Sequence, residues 1–390
     1  MTVSSLRVLV VAGARPNFMK VAPILRALRA AGHEGVLVHT GQHYDARMSE
    51  SFFQDLDLPD PDYHLGVGSG SHAVQTARVM EAFEPVLREV SPDWVVVVGD
   101  VNSTVACALV AVKLKEAMGV RIAHVEAGLR SGDWRMPEEV NRVLTDRLSD
   151  LLLTPSRDAE PNLSAEGIPS ERIRFVGNVM IDTLLHQLPR ARARDYPGEL
   201  GLTRGAYAVA TLHRPSNVDD PEDLQTALEA LARVARNRPV VLPIHPRTRK
   251  NVDRFGLDSV LEALTVVPPL GYREMVSLLD GAAVVLTDSG GLQEETTALG
   301  IPCVTLREQT ERPITLTEGT NRMAEWPLSV EGVLKVTEAA LSGASAGDEG
   351  SHPDPDGSSP GADGEAQGSP PRPEGWDGAA AVRIVRALAT

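Results

Sequence analysis

The sequence predicts an α/β protein made of two doubly wound, Rossmann-like domains that face each other across a cleft. Three observations carry that expectation. Short β-branched runs alternate with amphipathic stretches along most of the chain, the pattern of a parallel sheet covered on both faces. The alternation comes as two series separated by a stretch without a strong apolar period. The length, 390 residues, suits two domains at roughly 100–200 residues each.

The first series opens with LRVLVVAG, Leu6 to Gly13, a candidate buried strand, and the helical pattern MKVAPILRALRA follows from Met19 to Ala30. VLVHTG (36–41), DWVVVVGD (93–100), RIAHVEAG (121–128), LLLTPS (151–156) and IRFVGN (173–178) repeat the unit. His186 to Arg204 contains Arg, Pro and Gly and lacks an apolar period, so the domain junction is expected there, with a first domain at 1–185 and a second at 186–341. The second series is YAVATLHR (207–214), PVVLPIHP (239–246), LTVVPPL (264–270), AAVVLTDSGG (282–291) and IPCVTLRE (301–308). From Ser342 to Pro373 the composition shifts to Gly, Ser, Pro, Asp and Ala, too poor in large apolar groups to offset its ordering entropy. A disordered insertion is expected over 342–373. Helical periodicity returns at Ala381, Ile384, Val385 and Leu388, so 376–390 is expected to form a helix packed back on the first domain.

Charge and composition exclude several function classes. Asp and Glu number 53 against 38 Lys and Arg, a formal net charge of -15, which argues against bulk nucleic-acid binding. It leaves an anionic small molecule open, because a few local cations can dominate one cleft. Cys107 and Cys303 lie in apolar runs and read as buried thiols; two cysteines build neither a disulfide framework nor a zinc cluster. No basic-then-apolar leader and no apolar stretch of about 20 residues is found, so a soluble cytoplasmic protein without a membrane partner is expected.

In open α/β sheets ligands bind beyond the carboxyl ends of the strands, so strand ends supply the candidate site residues. The first strand delivers Gly13-Ala14-Arg15-Pro16-Asn17 and Lys20 near the start of a helix, where cations suit a phosphate or carboxylate. This loop does not match the dinucleotide fingerprint G-x-G-x-x-G. Asp100 follows four valines, and Glu126 ends HVEAG. Asp100 also reads as a cap for the helix near Ser103. Glu138 and Glu139, with Arg142 and Asp146 further on, occupy MPEEVNRVLTDRLSD, where acidic groups in a first helical turn are favoured by the dipole alone. Carboxylates gathered at strand ends acquire separated pKa values, as proton-transfer chemistry requires. The second series supplies cations and amides: His213 and Arg214, His245 and Arg247, then Ser289-Gly290-Gly291 at a strand-to-helix turn, with Glu295 one turn on and Arg312 after the next strand. Exposed backbone amides at such a turn hold phosphate oxygens, and Arg312 can clamp them bidentately. No cluster has metal-ligand spacing.

These motifs, in order, are GARPNFMKVAPI, TGQHYDARM, GDVNST, HVEAGLRSGD, MPEEVNR, GNVMIDTL, LHRPSNVD, HPRTRK, LTDSGGLQEET and TERPITLTEGT. From Leu6 to Arg322 and again at the terminal helix, the chain resembles the non-hydrolysing UDP-N-acetylglucosamine 2-epimerases, two-domain enzymes of the GT-B fold. The resemblance implies elimination of UDP across carbons 1 and 2 of the sugar to a glycal, then re-addition after a proton returns to the opposite face of carbon 2. It implies no cofactor, no metal, a UDP-sugar as partner and a homodimer. Arg15, Lys20, His213, Ser289, Gly290, Gly291 and Arg312 match positions that hold the nucleotide, with His213 among the catalytic set. Glu295 matches the ribose-binding position, and Asp100, Glu126 and Glu138 match the catalytic carboxylates. Gln42, His43 and His245 match a second, allosteric nucleotide site. The chain departs from that pattern at Pro215, where substrate-activated members carry a second arginine, and over Gly66 to Ser71, which lacks one.

Two other readings compete. A hydrolysing relative would let water trap the intermediate and release N-acetylmannosamine and UDP. A GT-B glycosyltransferase would bind the same donor, but it needs no base at carbon 2 and so leaves the three carboxylates without a task.

Overall fold

Residues 5–41, 55–343 and 372–390 are described by a computed structural model. Strands β1 (Arg7–Ala12), β2 (Glu34–His39), β3 (Tyr63–His64), β4 (Trp94–Val98), β5 (Arg121–Val125), β6 (Leu151–Thr154) and β7 (Ile173–Phe175) form one parallel sheet ordered β3-β2-β1-β4-β5-β6-β7. A second parallel sheet is ordered β10-β9-β8-β11-β12-β13, from β8 (Ala208–Thr211), β9 (Val240–Pro243), β10 (Thr265–Val267), β11 (Val284–Thr287), β12 (Cys303–Thr305) and β13 (Asn321–Met323). Every residue of β4, β8 and β11 is buried, which explains their unbroken apolar runs: helices cover both faces of each sheet. Cys107 and Cys303 are buried free thiols.

Strand order reverses between β1 and β4 in the first sheet and between β8 and β11 in the second. At such a point neighbouring crossovers leave in opposite directions and open a crevice at the carboxyl ends. Gly13 and Asp100 flank the first crevice, and His213 and Ser289 flank the second. β3 and β13 were not expected from the sequence. Each is an edge strand of two or three residues, too short to show a period.

The helix Val179–Arg194 runs through residues 185 and 186, where the domain boundary was expected. Leu184, Leu188 and Ala191 keep a buried stripe along it, although Pro189 and the RARAR run obscure that stripe in the sequence. This helix packs on Arg15–Ala30 of the first domain and on Tyr272–Asp280 of the second. The helix Ala380–Leu388 lies against the same two helices, Arg15–Ala30 and Val179–Arg194. Asp182 accepts from the amides of Ala380 and Ala381 at its start, and Trp94 Nε1 donates to the carbonyl of Leu388 at its end. Trp376 is buried and donates from Nε1 to the Pro155 carbonyl. Most of the expected insertion, 344–371, lies outside the described residues.

Candidate active site

The carboxyl ends of β4 and β5 both turn through left-handed backbone, at Gly99 (φ +65°) and Glu126 (φ +71°). For Gly99 the turn is a matter of space. A Cβ there would lie 2.9 Å from Lys20 Nζ, so glycine lets the lysine pass. For Glu126 the left-handed conformation costs on the order of 1 kcal/mol, and persists only where surrounding contacts enforce it. They do so on both sides. Lys20 Nζ lies 2.5 Å from Glu126 Oε2, and an Arg312 terminal nitrogen donates to Oε1 at 3.1 Å. All three side chains are less than a tenth exposed, and Arg312 comes from the other domain.

Arg312 meets two further carboxylates, Glu294 at 3.0 Å and Glu311 at 3.1 Å. Its guanidinium, expected as a bidentate phosphate clamp, is thus directed at three acids in this structure. Glu311 is almost fully buried, and Arg307 sits 2.8 Å from it, with Arg214 at 3.7 Å and Arg142 at 3.9 Å. Burial would raise the Glu311 pKa, but the surrounding guanidinium groups, Arg312 and Arg307 first, hold it well below the usual carboxylate range. Glu294 moves the other way. Burial raises it, and the Glu126 and Glu311 charges add to that against Arg312 and Lys20.

Asp100 accepts from Arg142 at 2.6 and 3.0 Å, and Arg142 also reaches Glu139 at 2.8 Å. Burial pushes the Asp100 carboxyl up, yet Arg142, Lys20 and Arg312 together bring it below its ordinary value. It is a charged member of the cluster, and the cap expected for the next helix is absent: Asn102–Met118 begins after Val101 with no side-chain cap. Glu138 is half-buried in the first turn of Pro137–Leu148 and joins none of these ion pairs among the described residues; its neighbour Glu139 is the buried one.

On the second edge, His213 Nδ1 lies 2.8 Å from Asp288 Oδ1, and Asp288 Oδ2 accepts the amides of His213 and Arg214 and the side chain of Asn217. Asp288 thereby fixes the ring and leaves Nε2 as the remaining nitrogen of a partly exposed imidazole. The His213 and His245 rings lie 5.7 Å apart. Ser289 stands at the N-cap position of the helix Gly290–Leu299 without a side-chain cap bond, and the first-turn amides have no intrahelical acceptor. A Cβ on Gly290 would come within 3.1 Å of Glu311, so the glycine permits the arginine-lined loop to close over the turn. Glu295 makes none of these ion pairs among the described residues and accepts from the Tyr272 hydroxyl at 3.0 Å; burial raises its pKa to about 7. Gln42, His43 and the side chain of Arg15 lie outside the described residues. Among the described residues no group of three or more His, Cys, Asp or Glu could hold a metal ion, and no helix is long and apolar enough to cross a membrane.

The structure therefore unites Lys20, Asp100, Glu126, Gly290 and Arg312, with His213 on the adjoining edge, while Glu138 and Glu295 stand apart from the ion pairs. A family model described as UDP-N-acetylglucosamine 2-epimerase matches residues 26–359. The chain belongs to the UDP-N-acetylglucosamine 2-epimerase family. A UDP-N-acetylglucosamine 2-epimerase of Methanococcus maripaludis is 42% identical over 323 residues, 81% of this chain and 87% of that protein. A UDP-2,3-diacetamido-2,3-dideoxy-D-glucuronate 2-epimerase of Pseudomonas aeruginosa is 44% identical over 321 residues, 81% and 87% of the two chains. The crystal structure of Methanocaldococcus jannaschii UDP-GlcNAc 2-epimerase in complex with UDP-GlcNAc and UDP superposes with a TM-score of 0.82 at 37% identity, covering 98% of this chain and 99% of that one. The two parallel sheets, each doubly wound, are the GT-B arrangement of this epimerase family.

Proposed function

We propose that this member of the epimerase family is a non-hydrolysing enzyme that interconverts UDP-N-acetylglucosamine and UDP-N-acetylmannosamine. One observation carries the reading: a buried carboxylate on strained backbone, Glu126, held between Lys20 of its own domain and Arg312 of the other. The incoming diphosphate competes for Lys20 and Arg312, releasing carboxylates at the moment they are needed as bases. In the elimination, a carboxylate takes the proton from carbon 2. That C–H pair becomes the carbon 1–carbon 2 double bond, and the carbon 1–oxygen pair leaves with UDP. In the reverse half, a UDP oxygen attacks carbon 1, and an acid on the opposite face returns a proton to carbon 2. Asp100, Glu126 and Glu138 are the acid and base candidates, and His213, oriented by Asp288, is assigned to the same catalytic set. The proton is weakly acidic, so most of the acceleration must come from stabilising departing UDP. Lys20, Arg312, His213 and the amides after Ser289 are assigned that task, Arg15 joins them on the resemblance alone, and Glu295 is assigned the ribose hydroxyls.

The burial of Lys20, Glu126 and Arg312 favours re-addition over hydrolysis, because a site that excludes water gives the glycal only UDP to react with. The test is incubation with UDP-N-acetylglucosamine in deuterated water, followed by NMR and mass spectrometry. Deuterium at carbon 2 of both recovered sugar nucleotides is expected. Free N-acetylmannosamine with equimolar UDP would establish the hydrolytic outcome instead. The diacetamido-glucuronate substrate named for the Pseudomonas relative, run in parallel, tells which sugar is preferred.

A further inference from the structure

We propose that His124 and Asp146, which never reach the cleft, form a buried strut that sets the positions of Asp100 and Glu126 for proton transfer. The inference rests on the epimerase reading above and adds two positioning residues to it. Both side chains are fully buried. His124 Nε2 is 2.8 Å from the carbonyl of Gly99, and Nδ1 is 2.6 Å from Asp146 Oδ1. A carbonyl only accepts, so Nε2 carries a hydrogen and donates it to Gly99. The other oxygen of Asp146 accepts from the Gly128 amide at 3.1 Å and meets Arg130 at 2.8 Å. Arg130 is in turn held at Glu166 by two bonds of 2.7 and 2.9 Å. Burial works against an ionised Asp146, but His124 and Arg130 bring its pKa below the ordinary value, so it acts as a charged acceptor.

The chain Gly99 carbonyl–His124–Asp146–Gly128 amide therefore ties together the two turns that carry the carboxylates. The Gly99 carbonyl belongs to the peptide whose nitrogen is that of Asp100, so holding it fixes the plane from which Asp100 projects. Gly128 follows Glu126 by two residues and lies at φ +83°, while Glu126 itself lies at φ +71°. Three left-handed residues in two neighbouring turns would relax without a restraint, and the backbone supplies few. Gly99 donates to the Val125 carbonyl at 3.0 Å, and Glu126 to the Leu153 carbonyl at 3.1 Å. Only the first of these joins the two turns, and the His124–Asp146 pair adds a second link, from the Gly99 carbonyl to the Gly128 amide. Reactive groups displaced by about 1 Å lose on the order of 100-fold in rate, which sets the scale of the effect.

The experiment compares His124→Gln and Asp146→Asn with the unsubstituted protein by carbon 2 deuterium exchange, KM and the Kd of UDP, with circular dichroism and Tm as checks on folding. Glutamine retains one donor but cannot bridge Gly99 and Asp146; asparagine retains the shape and loses the charge. A fall in kcat of about 10- to 100-fold is expected for His124→Gln and a smaller one for Asp146→Asn, with KM and the UDP Kd held within about threefold. Loss of UDP affinity in step with kcat would mean general loosening and would overturn the proposal, as would unchanged kcat. If His124→Gln fails to fold, Asp146→Asn carries the kinetic test. Amide hydrogen exchange of the unsubstituted protein adds another: protection at 126–128 equal to that of β5 is expected, and rapid exchange there contradicts the strut. Absence of carbon 2 exchange in the unsubstituted protein overturns the epimerase reading and this inference together. Exchange there with unaffected variants overturns the strut alone.

Discussion

The two sheet edges meet at one cleft but end in different ways. On the first, β4 and β5 leave through left-handed turns and present Asp100 and Glu126, each gripped by cations from neighbouring helices or from across the cleft. On the second, β11 runs into a helix N-terminus, and the segment after β12 brings Arg307 and Arg312 to it. On the proposed reading, backbone strain and a buried strut position the acids, whereas a helix start and concentrated positive charge are assigned to the anion. In that proposal proton transfer falls to the first edge, and the leaving group mainly to the second, with Lys20 reaching it from the first. Substitutions on the first should therefore change turnover, and those on the second should change UDP affinity.

The largest break in that division is expected from Glu126→Gln. Removing a group that transfers a proton costs about 10²- to 10⁴-fold in rate, so carbon 2 exchange should fall by that factor. UDP should bind as tightly or more so, because Lys20 and Arg312 lose a competing carboxylate; parallel weakening, measured by calorimetry, would erase the contrast. Next comes Arg312→Gln, which deletes the partner of Glu126, Glu294 and Glu311 together. A UDP affinity loss of about 10- to 100-fold is expected, the worth of one net charged bond at roughly 1.5–3 kcal/mol. Denaturant unfolding should show about 3–5 kcal/mol of destabilisation from acids left buried and unpaired. Unchanged UDP affinity would remove Arg312 from the anion site.

Smaller effects sharpen the comparison. Gly99→Ala sets a Cβ 2.9 Å from Lys20 Nζ on left-handed backbone. It should cost about 1–2 kcal/mol of stability and, as Lys20 shifts from Glu126, roughly tenfold in kcat, since a displacement of about 1 Å can cost more. A full-length kinetic comparison showing no change in kcat would mean that Lys20 placement does not matter. Glu295→Gln is the mildest and reads out with pH. Its folded-state pKa of about 7 lies above the unfolded value, so the folded protein binds the extra proton. Its contribution is fully present below about pH 4.3, the unfolded carboxylate value, and is lost as pH rises through about 7. Without ligand, the variant should gain Tm relative to the unsubstituted protein as pH goes from 5 to 8. A difference independent of pH would contradict the raised value.

The sequence revealed the fold more fully than the site. Runs such as VVVVGD and HVEAG announce strands because helices bury both faces of these sheets, and the last residues of such runs point to the crevice. That reasoning reaches Asp100, Glu126, His213 and Ser289. It gives no role to Arg142, Glu294, Glu311, Arg307 or Asp288, because their charges read as solvated until folding brings in their partners, Asp100 to Arg142, Arg312 to Glu294 and His213 to Asp288. The spacing of Glu139 and Arg142, three apart on one helix, was the available signal for that pair. For Glu311 the signal was weaker: Arg307 lies four residues before it but in a loop rather than on a helix, and Arg142 comes from the other domain. His124, within an apolar strand, reads as core; only the position of Gly99 relative to Asp146 discloses the link.

In the proposed reaction UDP leaves carbon 1 and returns. It is tested most directly with UDP-N-acetylglucosamine carrying oxygen-18 in the bridge between carbon 1 and the β-phosphorus. The label is expected to move into non-bridging β-phosphate positions at a rate comparable to carbon 2 deuterium exchange, because cleaved UDP rotates its β-phosphate before re-addition. Carbon 2 exchange with the label fixed in the bridge would show that the proton moves without breaking the carbon 1–oxygen bond, and would contradict it.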